Sequence, residues 1–428
     1  MKAFTSYVVE LRRLLAAVRV PGKPPQGTLA EVNAALDGGA SRALRRLVDL
    51  ETLRESGAFF TGSRLSRRAA RLVAPTLDKH SVILDPSCGA GDLLLACADT
   101  LQPANSRPSQ WAAQLRGRDL CSSFVQAAKL RLTLRLLTDD RASTRNQSPT
   151  FPELRVGCGM SDYGALSSAT HVVLNPPFTL VQAPRDCTWA AGTVSAAALF
   201  LDRCLALASP DTQIVAILPD ALRSGARYEA WRRAIEQRSF IDHVGLADRF
   251  DRHTDVNVFL LRLKVRSASR ATASAGRAWN TPRKREGQTI RDAFDITVGA
   301  VVDYRDPHLG AWRPFIRART LVPWTTLRRS TKHRRFDGAL VRSPFVAVKR
   351  TSRPGDSYRA AASLVTIPLP VAVENHVIVL RPRDHSVATC RRLLALLKSD
   401  STTDLLNRRI RCRHLTVGAL ADLPWTTT

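Results

Sequence analysis

Acid is scarce in this sequence. Its 37 Asp and Glu stand against 64 Lys and Arg, a formal charge of +27 at pH 7, and Arg outnumbers Lys several-fold. The pI is near 11.0. A chain so unbalanced calls for a polyanion partner, nucleic acid first, because the planar guanidinium fork bonds phosphates and base edges in pairs. A coding bias toward Arg would account for part of the excess, which leaves a merely basic surface as the alternative. Cysteine is scattered: eight residues, at 88, 97, 121, 158, 187, 204, 390 and 412, with no Cys-x-x-Cys pair and no His at ligand spacing. That argues against a zinc site and for free thiols in a reducing cytoplasm. No apolar run approaches the roughly 20 residues of a membrane span. Glu10, Arg12 and Arg13 stand where an export signal needs an unbroken apolar core. We find no internal repeat.

What the chain does have is a series of strand, loop and helix signals. At 428 residues it is long enough for two or three domains. The first 50 or so residues have helical spacing (Val8, Val9, Leu11, Leu14, Leu15), broken at Pro21 to Pro25 and again at Gly38-Gly39. Gly57-Ala58-Phe59-Phe60-Thr61-Gly62 precedes another helix. Its two aromatics either cover a flat ligand or sit in the core. Ser81 to Asp85 predicts a strand, and Pro86-Ser87-Cys88-Gly89-Ala90-Gly91-Asp92 a tight loop into the helix Leu93 to Cys97. This is the first unit of a doubly wound α/β sheet, with glycines that let the backbone approach a cofactor. Gly-Lys-Ser/Thr is missing, and an Asp stands where a phosphate would be repelled, so an uncharged or cationic cofactor is favoured over a nucleotide triphosphate. Leu115 to Leu120 is a second strand whose Asp119 stands where such folds bind a ribose diol. Val156 to Asp162 and Tyr163 give the third strand and its loop, and His171 to Leu174, Gln213 to Leu218, Ile241 to Leu246 and Val256 to Leu263 bring the count to seven.

The fourth strand ends in Asn175-Pro176-Pro177-Phe178. Neither proline can donate to a sheet ladder, so the strand stops there and a loop begins. The Asn175 side-chain carbonyl and the Pro176 backbone carbonyl could accept from an amine on a flat group, with the Phe178 ring stacked on its face. The alternative is a strand ending in a Pro-rich turn. Phe250, in the charged loop Ala247 to Asp255, is either core or a second stacking ring. Beyond Arg266 lies a Ser/Ala/Arg-rich segment of linker composition. After it come strand-like runs (Phe345 to Val348, Val377 to Leu380), one clear helix (Thr389 to Leu397) and two basic clusters. These are Arg328, Arg329, Lys332, Arg334 and Arg335, then Arg408, Arg409, Arg411 and Arg413.

In this order the pieces resemble the N6-adenine DNA methyltransferases of restriction-modification type in their gamma arrangement. The resemblance covers about residues 55 to 265 well and the rest loosely. It implies an α/β fold: a seven-stranded Rossmann-like class I methyltransferase core at 55–265, behind a helical N-terminal cap at 1–54. A basic linker at 266–290 and a C-terminal α+β target recognition domain at 291–428 would come after it. S-adenosyl-L-methionine is the implied cofactor, held by Phe59, Phe60, Thr61, Asp85, Ser87, Cys88, Gly89, Gly91, Asp119, Leu120, Asp162 and Asn175. For Asp162 the stretch Gly157 to Ser161 offers another register. Asn175, Pro176, Pro177 and Phe178 match the catalytic tetrapeptide, and Phe250 the aromatic on the far face of an extruded adenine. The partner would be duplex DNA gripped by the two basic clusters, with no membrane. No acid cluster with a lysine marks a nuclease, so any restriction endonuclease would be a separate chain. Two departures, Gly62 in place of a frequent Pro and Asp211-Thr212 in place of Gly-Gly, touch no chemistry. An RNA base methyltransferase is the nearest rival reading, and a non-catalytic DNA-specificity subunit comes from another class.

Overall fold

The computed structural model describes residues 2–20, 24–101, 108–138, 150–250, 256–267, 279 and 287–425. The break at Pro21, the loop residues 251–255 and nearly all of the expected basic linker (268–278 and 280–286) lie outside the described residues. The chain divides into two compact units, Met1–Leu222 with Glu229–Ala278, and Trp279–Thr428 with Arg223–Tyr228.

The first unit is built on a seven-stranded sheet: β1 (Ile83–Asp85), β2 (Leu115–Asp119), β3 (Leu154–Val156), β4 (His171–Leu174), β7 (Gln213–Pro219), β8 (Ser239–Arg249) and β9 (Asn257–Val265), joined by a separate hairpin of β5 (Leu180–Gln182) and β6 (Thr193–Ser195). The order is β3-β2-β1-β4-β7-β9-β8. β1, β2, β3, β4 and β7 run parallel, while β9 is antiparallel to β7 and β8. His171 to Leu174 are all buried, as expected of a central parallel strand covered on both faces, so no alternation shows in its sequence. The strand order reverses between β1 and β4, and the carboxyl ends around that switch point form the crevice where such sheets bind ligands.

One strand was misplaced by sequence reasoning. The third runs from Leu154 and ends at Val156, where it was expected to begin, and residues 157–161 are already its loop, because Gly157 and Gly159 carry no side chains to pack on a pleated surface. Gly159 has no room for one: a Cβ there would lie 2.0 Å from the Pro86 carbonyl oxygen.

The N-terminal helices Thr5–Arg19, Gln26–Leu36, Gly39–Leu47 and Leu50–Ser56 belong to this first unit. Thr5–Arg19 buries Tyr7, Val8, Leu11, Leu14, Leu15 and Val18 on one stripe, and Val9 falls off it at 57% exposure. That stripe shares a core with Phe60, Ala90 and the helix Ser122–Leu137. The cap therefore packs directly behind the glycine loop.

The second unit has a five-stranded sheet, order β10-β17-β14-β15-β12, and a three-stranded one, β13-β11-β16. Its strands are β10 (Phe294–Val298), β11 (Trp312–Ile316), β12 (Thr326–Leu327), β13 (His333–Arg335), β14 (Phe345–Lys349), β15 (Ala362–Val365), β16 (Ala372–Val373) and β17 (Val377–Pro382). Ser386 caps the helix Val387–Leu397, accepting from the Ala388 and Thr389 amides. A second helix, Asp400–Arg409, comes next. Sequence reasoning missed it because it buries only Thr402 and Leu406, too few for a visible stripe.

Candidate functional site

At the carboxyl ends of β1, β2 and β4 lies a cavity of about 770 Å³, a size typical of cofactor sites. Its walls include Pro86, Ser87 and Gly89 of the glycine loop, Asp119 and Leu120 after β2, Gly157 to Met160 after β3, Asn175 and Pro177 after β4, and Phe59 and Phe60. Folding thus brings Phe59, in the loop before the helix Gly62–Val73, into hydrogen-bond contact with Asn175, 116 positions on. Cys88 and Gly91 are buried behind this wall, as is Asp85, with Thr61 close to Phe60. Leu120 is 76% exposed at the rim.

The glycine loop needs its glycines. Gly89 and Gly91 both have positive φ, at 49° and 82°, a region that side chains resist. A Cβ on Gly89 would also lie 2.8 Å from the Phe60 ring. Asp119 locks this loop from the neighbouring strand: its carboxylate accepts from the Gly89 amide at 2.9 Å and the Cys121 amide at 2.8 Å. Burial pushes the Asp119 pKa up, against those two amides, which favour the charged form. Asp85 goes further, to about 8, because burial dominates and the nearby Asp119 and Asp92 carboxylates add to it, while the Ser87 amide opposes. At neutral pH this acid is protonated.

Phe60 is a core residue that also reaches the cavity wall. It lines the cavity and makes edge contacts with Phe4 and Phe124 at 5.6 and 4.8 Å between ring centres. The loop that carries it is held by a buried ion pair. Arg131, wholly buried, meets Asp92 at 2.8 Å and donates to the carbonyls of Ala90 and Leu36, and the other Asp92 oxygen accepts from the Gly62 amide at 2.8 Å. Sequence reasoning overlooked this pair. The available signal was an acid directly after the second loop glycine, with an arginine inside an otherwise apolar helix.

Asn175 is held in one orientation. Its Nδ2 donates to the Phe59 carbonyl at 3.2 Å, which turns Oδ1 away, and that oxygen is buried with no partner. The Ser87 hydroxyl is buried and unpartnered as well. A buried acceptor left without a donor costs about 1–3 kcal/mol. Gly57 lets the Phe59 loop press on the tetrapeptide, since a Cβ there would meet Pro177 at 2.7 Å. On the other side of Phe59 is a small cleft of about 190 Å³ lined by Arg54, Phe178, Thr179, Phe250 and Val256. Phe178 and Phe250 meet edge-to-face at 5.4 Å. A flat ring sandwiched between them would need about 7 Å, two van der Waals contacts, so one ring must move to admit it.

Two expectations change. Asp162 does not line the cavity: one oxygen caps the helix Tyr163–Ser168 through the Ala165 amide at 3.0 Å, and the other meets Arg118 at 2.6 Å. Burial pushes its pKa up, but the Ala165 amide and then the Arg118 guanidinium outweigh it and hold the carboxyl low. The turn 157–160 occupies the wall instead. Within the second unit, Arg334 leaves the DNA-binding set. It is 1% exposed, paired with Asp303 at 2.5 Å and lying over the Phe315 ring. β13 alternates, so Arg334 points inward while His333 and Arg335 point out. Arg328, Arg329, Lys332, Arg335, Arg408 and Arg413 are exposed, whereas Arg411 is half-buried and Arg409 pairs with Asp422 at 3.1 Å. Among the described residues no cluster could hold a metal ion, and no helix is long and apolar enough to cross a membrane.

The N-6 DNA Methylase family model matches residues 47–275, more than half of the chain. Among solved structures, the type IIL restriction-modification enzyme MmeI, in complex with DNA, is 10% identical at a TM-score of 0.49, covering 92% of this chain and 67% of that one. The type IIG restriction endonuclease BpuSI is 14% identical at 0.45, covering 92% of this chain and 60% of that one. The type I restriction enzyme EcoKI M protein is 15% identical at 0.37, with 71% and 80% covered. The chain thus spans less than two thirds of BpuSI. None of the three reaches a TM-score of 0.5, a likeness too loose to carry function from one chain to another. No curated protein matches the sequence.

Proposed function

This chain belongs to the N-6 DNA Methylase family and by that membership is an adenine-specific DNA methyltransferase; from that premise we propose that it methylates the N6 amine of an adenine extruded from a specific duplex sequence, with S-adenosyl-L-methionine as donor. The observation that carries the reading is the Asn175 oxygen, buried, oriented through Phe59 and without a partner. An exocyclic amine is the donor that suits it. The cofactor fits the larger cavity by the same kind of observation: an orphaned Ser87 hydroxyl, two positive-φ glycines and a carboxylate at the end of β2. Ser87, Gly89, Asp119 and Phe60 would hold it, with Leu120 at the rim. When bound there it supplies an electrophilic methyl group.

The chain's own part is positioning. Asn175 and the Pro176 carbonyl accept from the amine, which draws its lone pair out of conjugation with the ring. This interaction grows as the nitrogen becomes cationic, so it favours the transition state over the ground state. No His or Cys nucleophile is required: the amine nitrogen's own lone pair would take the methyl group and its proton would leave to solvent after transfer. Extrusion costs a few kcal/mol, and stacking on Phe178 and Phe250, at about 1–3 kcal/mol per face, offsets it. The second unit, with its exposed arginines, would choose the sequence. We place the protein in the cytoplasm, in a restriction-modification or phage-defence system. The test is to express this chain alone in a host lacking N6-methyladenine and to read its DNA by long-read sequencing. Methylation at one recurring motif is expected. Unmodified DNA, or a methyl group found only in RNA, refutes the assignment.

A further inference from the structure

The second unit carries one tryptophan that its fold does not account for. Of the seven in the chain, five are buried and Trp324 is half-buried, whereas Trp312 is 67% exposed. An indole left in water forgoes one of the largest apolar burials a side chain offers. Nor is it a loose loop residue. Trp312 opens β11 and stands opposite Arg335 of β13, so the two side chains share the outward face of this sheet, away from Arg334. The turn ahead of it is tightly closed: Gly310 has a φ of 83°, a Cβ there would lie 2.8 Å from that of Asp337, and the Phe336 amide donates to the Ala311 carbonyl at 3.1 Å. Arg335 donates from Nε to the Gly310 carbonyl at 2.9 Å, which fixes its guanidinium without neutralising it. Tyr304, 90% exposed, and the exposed Leu309 stand in the loop that leads into the strand.

The charge around this face is settled by its partners. From Gly299 to Arg342 the chain has ten Lys and Arg against three acids, Asp303, Asp306 and Asp337. Asp303 is taken by Arg334 and by Arg317 at 2.7 Å, and Asp306 by Arg305 at 3.1 Å and the Val302 amide. Glu374, beside β16, is buried and accepts from the Ala318 amide at 2.7 Å. That leaves Asp337 as the one acid of the three without an ion pair among the described residues, against seven basic residues in the same position, Arg335 and Lys332 among them. A second copy of this chain would set like charges against each other here. A polyanion with flat rings inside its charged rails suits both the indole and the cations.

We propose that the outward face of β11 and β13 is where duplex DNA seats on the second unit, with the Trp312 indole packed against the bases at one step and Arg335 and Lys332 on the adjoining phosphates. The inference rests on reading the second unit as the one that holds the DNA. The phosphate contacts set register, and the indole, which meets base edges or faces, is sensitive to the step it meets.

The exposure of Trp312 makes it readable in the full chain. Acrylamide quenching of tryptophan fluorescence should show one readily quenched component, absent from Trp312→Phe, and duplex DNA should protect it. The probe is a duplex carrying the motif found by sequencing, or sheared chromosomal DNA if no motif emerges. Trp312→Ala should bind that DNA about tenfold more weakly or worse with the slope of log K against log salt kept, because an indole displaces no counterion. Arg335→Gln should flatten that slope by about 0.9. Melting point and S-adenosylmethionine affinity should match the parent in both. A Trp312 that stays quenchable in the DNA-bound chain overturns the proposal, as does parental affinity in Trp312→Ala or a parent that binds no duplex DNA. Protection that rises with protein concentration in the absence of DNA also overturns it, by marking the face as a contact between copies. A parent that methylates DNA with Trp312 still quenchable sinks this inference alone; one whose Trp312 is protected by DNA but that transfers no methyl group sinks the proposed reaction alone.

Discussion

Replacing Asn175 by Ala separates chemistry from architecture. The side chain makes one bond within the fold, from Nδ2 to the Phe59 carbonyl at 3.2 Å, a neutral and half-buried hydrogen bond worth about 0.5–1.5 kcal/mol. Its loss should lower the melting point of the first unit by only a few degrees, since about 1 kcal/mol shifts a domain of that size by roughly 2–4 °C. The other end of the amide, Oδ1, has no partner, so its removal costs the fold nothing and relieves an unsatisfied acceptor. In the transition state the same oxygen would face a nitrogen gaining positive charge. A single group preorganised toward developing charge is worth about 10²–10³ in rate, or roughly 2.7–4 kcal/mol. The expected result is a hundredfold or greater loss in single-turnover methyl transfer, with S-adenosylmethionine affinity by calorimetry within a few-fold of the parent and the melting point nearly kept. Turnover within tenfold of the parent would show the tetrapeptide to be only a turn. A rate loss matched by loss of cofactor binding would show Asn175 to be a support for the Phe59 loop.

Three further outcomes are expected from the geometry. Asp85 titrates near 8 in the folded chain against 3.8 unfolded, so the unfolded chain gives up its proton first. As pH rises through that window this one group should remove about 1.4 kcal/mol of stability per pH unit. Denaturant titrations at pH 5 and pH 8 should therefore show Asp85→Asn gaining on the parent as pH rises, and a constant difference would refute the protonated acid. Gly159→Ala, with its Cβ 2.0 Å from the Pro86 carbonyl oxygen, should push the 157–160 turn off the glycine loop. It should weaken cofactor binding tenfold or more, at a folding cost of about 1–3 kcal/mol; unchanged affinity would mean that this wall does not touch the cofactor. Arg334→Gln should destabilise the second unit by about 3 kcal/mol, the low end for breaking a buried pair because Asp303 keeps some water. Arg328→Gln with Arg329→Gln should leave unfolding alone and flatten the salt dependence of DNA binding; the reverse pattern would undo the assignment of inner and outer arginines.

The amino-acid order by itself determined the strand ends and what stands at them. A proline pair must stop β4, glycines must carry the loop after β1, and a run such as His171 to Leu174 must be covered on both faces, because each is a consequence of backbone chemistry within a few residues. Asn175, Asp119 and Gly89 were legible for that reason: the order of strands in such a sheet brings their carboxyl ends together wherever the helices fall. What only the tertiary structure decided is where side chains go once long-range packing competes for them. Asp162 looked available and was taken by Arg118 and a helix end. Arg334 sat in a basic run and turned inward on a two-residue alternation, which charge counting does not resolve. The Asp92 and Arg131 pair joins positions 39 apart, and the face of Trp312 and Arg335 joins two strands. Spacing along the chain says nothing of such groups, because the distances that make them are set by how helices and strands pack.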